Sequence, residues 1–180
     1  MSDHTTRTIR IDTDYDKVLR FEAERRGLSV NSIIEELIDR YVYNDRFFLN
    51  ENLISLAPST LASLLEGLSH EEINDSGRIA GRLRARDNLL IRGMTLNYNS
   101  LKWFILNVLD NYSGWFSCSY HEMDDDYMFH LRHNIGTRWS YFVQSYLESM
   151  VENLLEISLD AEILDSTVTL RIPKKCCKFY

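Results

Sequence analysis

Thr6-Arg7-Thr8-Ile9-Arg10-Ile11, followed by Asp12 to Gly27 and then Leu28 to Val42, is the stretch whose reading decides the fold. On a strand, successive side chains point to opposite faces, so Ile9 and Ile11 share one face while Thr6, Thr8 and Arg10 share the other. A lone short strand leaves both of its edges unpaired and is not stable in water. The same strand from a second chain satisfies those backbone groups through a two-fold axis. The resulting ribbon has an apolar face for helices and an outer face of threonine and arginine. A two-stranded ribbon fits the major groove, where arginine bonds guanine and hydroxyls bond several base edges.

Two helices are signalled next. Asp12, Thr13 and Asp14 offer capping oxygens and negative charge at the first helix start. Tyr15, Val18, Leu19 and Phe21 form its apolar stripe, and Gly27 is a left-handed stop. Ser29 caps a second helix in which Ile33, Ile34, Leu37, Ile38 and Tyr41 recur at helical spacing, ending near Tyr43 or Asn44. Free backbone amides near Val30 and Asn31 form a natural phosphate site.

A short alternating strand followed by two helices of these lengths resembles the ribbon-helix-helix (Arc/MetJ-type) DNA-binding family. The resemblance implies a homodimer bound to double-stranded DNA. It further implies that Thr6, Thr8 and Arg10 read bases, while Ser29, Val30 and Asn31 clamp the phosphate backbone. Acidic side chains outnumber Lys and Arg over residues 1–45, so contact with DNA depends on segregated charge. Arg7 and Arg10 lie on the ribbon, whereas most carboxylates lie along the helices.

The rest of the chain bounds what this head serves. A length of 180 residues suits one ordinary domain plus a small one. With 44% hydrophobic and 12% aromatic residues and only two prolines, the composition is that of a folded protein. A net charge of −7 argues against broad coating of nucleic acid. The best apolar run, Trp103 to Leu109, is too short to cross a bilayer, and the N-terminus lacks an apolar signal, so no membrane role is expected. Three cysteines, two adjacent, make no disulfide framework, which implies a reducing cytoplasm. The expected organisation is a head at 1–45, an α+β domain at 53–173 and a basic tail at 174–180, with a polar and aromatic connector at 45–52.

In the second domain, Leu53 to Ala57 reads as a short strand and Ser59 to Leu68 as a helix. Ser69 with Glu72 makes a capping box for a helix to about Arg86, and Ser100 caps another. Trp115 to Glu122 and Tyr127 to Asn134 read as strands around Asp124-Asp125-Asp126. A long amphipathic helix starts at Gly136 and Thr137 and runs through Leu155. Ile157 to Ile163 and Thr167 to Ile172 form a second hairpin about Asp165-Ser166. The order is strand, strand, helix, strand, strand, an α+β unit with an antiparallel sheet. This pattern loosely resembles the C-terminal part of haem-nitric-oxide-binding domains and related sensor folds. The tyrosine-serine-arginine signature of that family is not evident, so no haem or other cofactor is expected. The resemblance implies a sensory or dimerising domain.

Candidate chemistry outside the head is sparse. Cys118, His121, His130 and His133 fall on one hairpin, but each pair points to opposite faces, so no metal site is expected. Asp124-Asp125-Asp126 lacks the remaining pattern of a calcium loop. Lysines beside Cys176 and Cys177 favour thiolate, against which stands the simpler reading of a terminal tail. Arg78, Arg82, Arg84 and Arg86 read as a solvated helix face. Trp103, Trp115, Phe116, Tyr120, Tyr127, Phe129 and Trp139 line either an ordinary core or a small-molecule effector pocket. No nucleophile–base pairing or phosphate-binding glycine loop appears, so no enzyme is expected. The reading is a homodimeric transcription regulator, such as a repressor, with a sensor or oligomerisation domain. Its rival is an antitoxin-like or scaffold protein whose head only dimerises and whose C-terminal domain binds a protein or small-molecule partner.

Overall fold

The computed structural model describes residues 5–48, 54–159 and 161–177, with the side chain of Arg84 excepted. The chain divides into two compact units, one ending at Arg46 and the other beginning at Phe47. It is a mixed helical and β protein with one four-stranded antiparallel sheet.

The first unit is two helices. Helix α1 (Thr13–Arg26) starts where the Asp12 carboxylate accepts from the Asp14 amide at 2.8 Å, with Asp14 and Asp16 in its first turn. It stops at Gly27, whose φ of 66° is the left-handed conformation that a residue without Cβ adopts at little cost. Helix α2 (Val30–Tyr43) is capped by Ser29, whose Oγ accepts from the Ser32 amide at 3.0 Å. Among the described residues of this unit, Ala23 and Ile33 are the buried hydrophobic ones. Burying one Ile side chain yields ~1.5–3 kcal/mol, whereas ordering each residue costs ~1–2 kcal/mol of backbone entropy. Two buried side chains cannot hold two helices in place. Leu19, Val30 and Ile34 are half-buried, and much of the apolar remainder is exposed: Phe21 is 64% and Leu37 56% accessible.

The expected strand over Thr6 to Ile11 is not present in the single chain, where residues 5–12 carry no regular structure. The physical reason is direct. A strand exists by pairing, and among the described residues nothing pairs with this segment.

The second unit has a core of its own. Helices α3 (Pro58–Glu66), α4 (His70–Ile91) and α5 (Tyr98–Trp103) are followed by a π-helical turn over Phe104–Tyr112. Strands β1 (Ser117–Glu122) and β2 (Asp126–Arg132), helix α6 (Thr137–Leu155), and strands β3 (Glu162–Leu164) and β4 (Thr167–Pro173) complete it. The sheet order is β1-β2-β4-β3, antiparallel throughout. Alternation puts Phe129 and Leu131 of β2 and Val168, Leu170 and Ile172 of β4 on the buried face. Helix α6 packs against β3 and β4 and against α4.

Several local expectations are corrected. Ile54 to Ala57 form no strand, because no neighbouring segment pairs with them, and Leu53 lies outside the described residues. Asn97, not Ser100, caps α5: its side chain accepts from the Ser100 amide at 3.0 Å, and Ser100 is buried inside the helix. The helix expected to end at Arg86 runs on to Ile91, since Leu89 is buried on the same face. The third strand begins only at Glu162, because Ile157 and Leu159 pack on the core without pairing. Part of the connector (49–52) and the tail end (178–180) lie outside the described residues.

Candidate nucleic-acid interface

Thr6, Thr8 and Arg10 all lie on the segment ahead of α1, and all are exposed. Ile9 is 60% accessible and Ile11 37%, so the apolar side chains of this segment have no cover within one chain. Among the described residues its amides and carbonyls make no backbone hydrogen bond before Asp12. Unpaired backbone, exposed isoleucines and exposed polar side chains therefore coincide on one short segment.

Charge distribution distinguishes this segment from the helices that follow. On the helices each cation sits beside a carboxylate: Lys17 with Asp14 at 2.7 Å, Arg20 with Asp16 at 2.7 Å, and Arg25 with Glu22 at 2.6 Å. Arg26 pairs with Glu36 at 2.8 Å and Arg40 with Asp45 at 3.4 Å. Hydrogen bonding and charge from Asp16 and Glu22 raise Arg20 and Arg25 above the ordinary guanidinium value. Such exposed pairs add only ~0–1 kcal/mol to stability, but they neutralise the helix surface. Arg7 and Arg10 have no carboxylate partner among the described residues. An acidic unit thus carries its uncompensated positive charge on the segment from Thr5 to Asp12.

The two helix N-termini differ in the same sense. Asp12, Asp14 and Asp16 fill that of α1 with carboxylates. The first turn of α2 contains no acidic residue. Ser29 spends its hydroxyl on the Ser32 amide and lies 2.8 Å from the Ser32 hydroxyl. The amides of Val30 and Asn31 have no acceptor among the described residues. An uncompensated helix dipole with two free amides suits a phosphate oxygen. Ser29 closes the turn by accepting from the Ser32 amide.

In the second unit, the hairpin residues do not converge. His130 Nδ1 lies 3.1 Å from Thr169 Oγ1, and His133 Nε2 lies 2.9 Å from Ser140 Oγ. No group of three or more His, Cys, Asp or Glu is placed to hold a metal ion among the described residues. Burial, with the Asp110 carboxylate adding to it, pushes the Cys118 thiol up to about 12. Burial likewise pushes Cys177 up to about 11, and Lys174 is engaged by Glu122 at 2.8 Å. Cys177 is thus shifted away from thiolate, against the effect expected from its neighbouring lysines.

Of the aromatic residues read from the sequence, Trp115 and Trp139 pack edge-on at 5.2 Å, and Trp139 stacks on Phe142 at 4.8 Å. Trp115, Phe142, Tyr146, Phe104 and Val108 border a cavity of about 280 Å³ beside the π-helical turn. Phe142, Tyr146 and the π-helical turn have no part in the expected effector pocket. A stripe of helical spacing reads as core until neighbouring elements leave space beside it. No helix of the described residues is long and apolar enough to cross a membrane.

No protein-family model matches the chain, and neither a curated protein nor a solved structure shows significant similarity to it.

Proposed function

We propose that the chain is a sequence-specific DNA-binding regulator. Two copies pair residues Thr6 to Ile11 into an antiparallel ribbon that enters the major groove. Pairing satisfies the open backbone, turns Ile9 and Ile11 toward the exposed apolar side chains of α1 and α2, and leaves Thr6, Thr8 and Arg10 outward. The ribbon reads bases through these three side chains, doubled by the two-fold axis. The amides of Val30 and Asn31, with the turn held by Ser29, fix the duplex through its phosphates. The observation that carries this reading is that, among the described residues of the first unit, the cations without a carboxylate partner, Arg7 and Arg10, lie on the segment whose backbone is unpaired.

The second unit is read as a regulatory or assembly domain. The cavity of about 280 Å³ beside Trp115 and Phe142 suits a small apolar effector better than a large one.

The test is selection of binding sites from random duplex DNA with the purified chain at two salt concentrations. A two-fold symmetric motif, with affinity falling steeply between the two salts, is the expected result. Equal recovery of all sequences, or no retained DNA at low salt, sinks the reading.

A further inference from the structure

Helix α4 carries an exposed line that the fold of its own unit does not use. Its inward line, Ile73, Gly77, Gly81, Ala85 and Leu89, is buried at helical spacing. At 100° per residue, the opposite line runs through Glu72, Ile79, Leu83, Arg86 and Leu90. A line facing water is ordinarily polar, yet Ile79 is 55%, Leu83 54% and Leu90 50% accessible. Charge along the helix is also segregated. Glu71, Glu72 and Asp75 precede Gly77, while Arg78, Arg82, Arg84 and Arg86 follow it with a single carboxylate, Asp87. Arg78 turns back to Asp75, whereas Arg82 and Arg86 have no carboxylate partner among the described residues.

We propose that this face of α4 is a self-association surface on which α4 of a second copy of the chain packs antiparallel. The charge pattern chooses both the occupant and the direction. A helix acidic in its first half and basic in its second is complementary to itself only when reversed; parallel pairing sets acid on acid. A two-fold axis near Ile79 places Glu72 opposite Arg86, sets Asp75 beside Arg82 and packs Ile79 on its own copy. Ile79 and Leu83 are then covered, and the flanking charges fix the register. The surface is distinct from residues 5–12, so neither contact requires the other. Together they join ribbon-paired dimers into tetramers.

Sedimentation equilibrium of the full chain over a concentration series tests this. Ile79→Asp with Leu83→Asp is expected to reduce tetramer to dimer while circular dichroism and melting temperature stay unchanged. Arg82→Glu with Arg86→Glu removes the basic partners of Glu72 and Asp75, and Asp75→Arg reverses the charge set beside Arg82. Each variant alone should associate at least about tenfold more weakly, and an equal mixture of the two should recover association that neither shows alone. An association state unchanged by Ile79→Asp with Leu83→Asp overturns the surface. Charge variants that weaken association without complementing each other overturn the antiparallel arrangement. The ribbon is separated by substituting Ile9→Lys with Ile11→Lys. A dimer in that background, lost on adding the α4 aspartates, supports the surface whether or not the head binds DNA. A monomer there counts against it.

Discussion

Gly81 of α4 lies against the backbone of Tyr146 in α6, where a Cβ would overlap the Tyr146 carbonyl oxygen. One turn earlier, a Cβ on Gly77 would fall 2.7 Å from the Phe142 carbonyl oxygen and 3.0 Å from Ser145 Cβ. Two glycines four residues apart therefore bring the backbones of the two longest helices into contact. Small hydroxyl residues complete the crossing. Ser145 Oγ lies 3.1 Å from Asn74 Oδ1, and Ser149 Oγ donates to the Arg78 carbonyl at 2.9 Å.

Gly81→Ala is expected to cost about 3 kcal/mol, at the upper end for overpacking, because the obstructing atoms are backbone and cannot rotate away. Gly67→Ala is the control. That position has an ordinary φ of −76° and only one atom, 3.9 Å away, near its Cβ. It should change stability by less than about 1 kcal/mol, in the favourable direction. Urea denaturation of the two variants reads the difference, and equal midpoints would rule out the tight crossing.

That crossing is not legible in the sequence, whereas much around it is. Ser69 and Glu72 announce a capping box because both partners lie within one turn, and the structure has it, with Glu72 Oε2 accepting from the Ser69 amide at 2.7 Å. Gly27 and Ser29 are equally local signals. The α6 stripe from Trp139 to Leu154 is long enough for periodicity to speak unaided. Gly77 and Gly81 mean nothing until the partner helix is known, since a glycine in a helix reads only as a weak former. Ser100 reads from the sequence as a cap, but it lies buried inside the helix that Asn97 caps. At the head, the residue types of Thr6 to Ile11 imply a ribbon, whereas the single chain has no strand there, and the proposed pairing would belong to two chains.

His133 is held as a neutral ring. Its Nδ1 accepts from the Ile135 amide at 3.3 Å, so Nε2 carries the proton toward Ser140 Oγ at 2.9 Å. Ser140 in turn donates to the Asp165 carbonyl at 2.6 Å. Burial lowers the pKa of His133 below its ordinary value. Its folded pKa therefore lies below its unfolded one, so the unfolded chain takes up the proton first. Stability is full above the unfolded value and falls as pH drops through about 6.5. Because the ring is only half buried, the loss should stay well under the ~1.4 kcal/mol per pH unit of a single fully differential proton. Denaturation midpoints of wild type and His133→Gln between pH 7.5 and 5.5 should converge as pH falls. Parallel profiles would remove His133 as the cause.

Arg10 and Arg7 should separate sequence reading from phosphate contact. Arg10→Ala is expected to weaken binding to the selected site by about 1–3 kcal/mol per base pair read, leaving random duplex nearly unaffected. Arg7→Ala should weaken both kinds of DNA alike and lower the salt slope by roughly one for each phosphate the guanidinium neutralises. Neither change should alter helix content, since neither side chain has a carboxylate partner among the described residues. Fluorescence anisotropy over a salt series measures both effects. Equal loss on specific and random DNA for Arg10→Ala would assign it to phosphate instead of base.

Ile9→Lys with Ile11→Lys should release the head as an unpaired and less ordered unit. Two buried apolar side chains, Ala23 and Ile33, cannot offset the entropy of ordering α1 and α2, so on the proposed ribbon most of their stability would come from a pairing that covers Ile9, Ile11, Phe21 and Leu37. Charging the ribbon's apolar face removes that cover. The second unit keeps Phe129, Leu131, Leu147, Met150 and Leu170 fully enclosed and should persist. Hydrogen exchange followed by mass spectrometry is therefore expected to show fast exchange across residues 13–43 and unchanged protection across 137–155. Protection of α1 and α2 that survives the double substitution would mean that the head is stable as a single chain, and the shared ribbon would lose its physical basis.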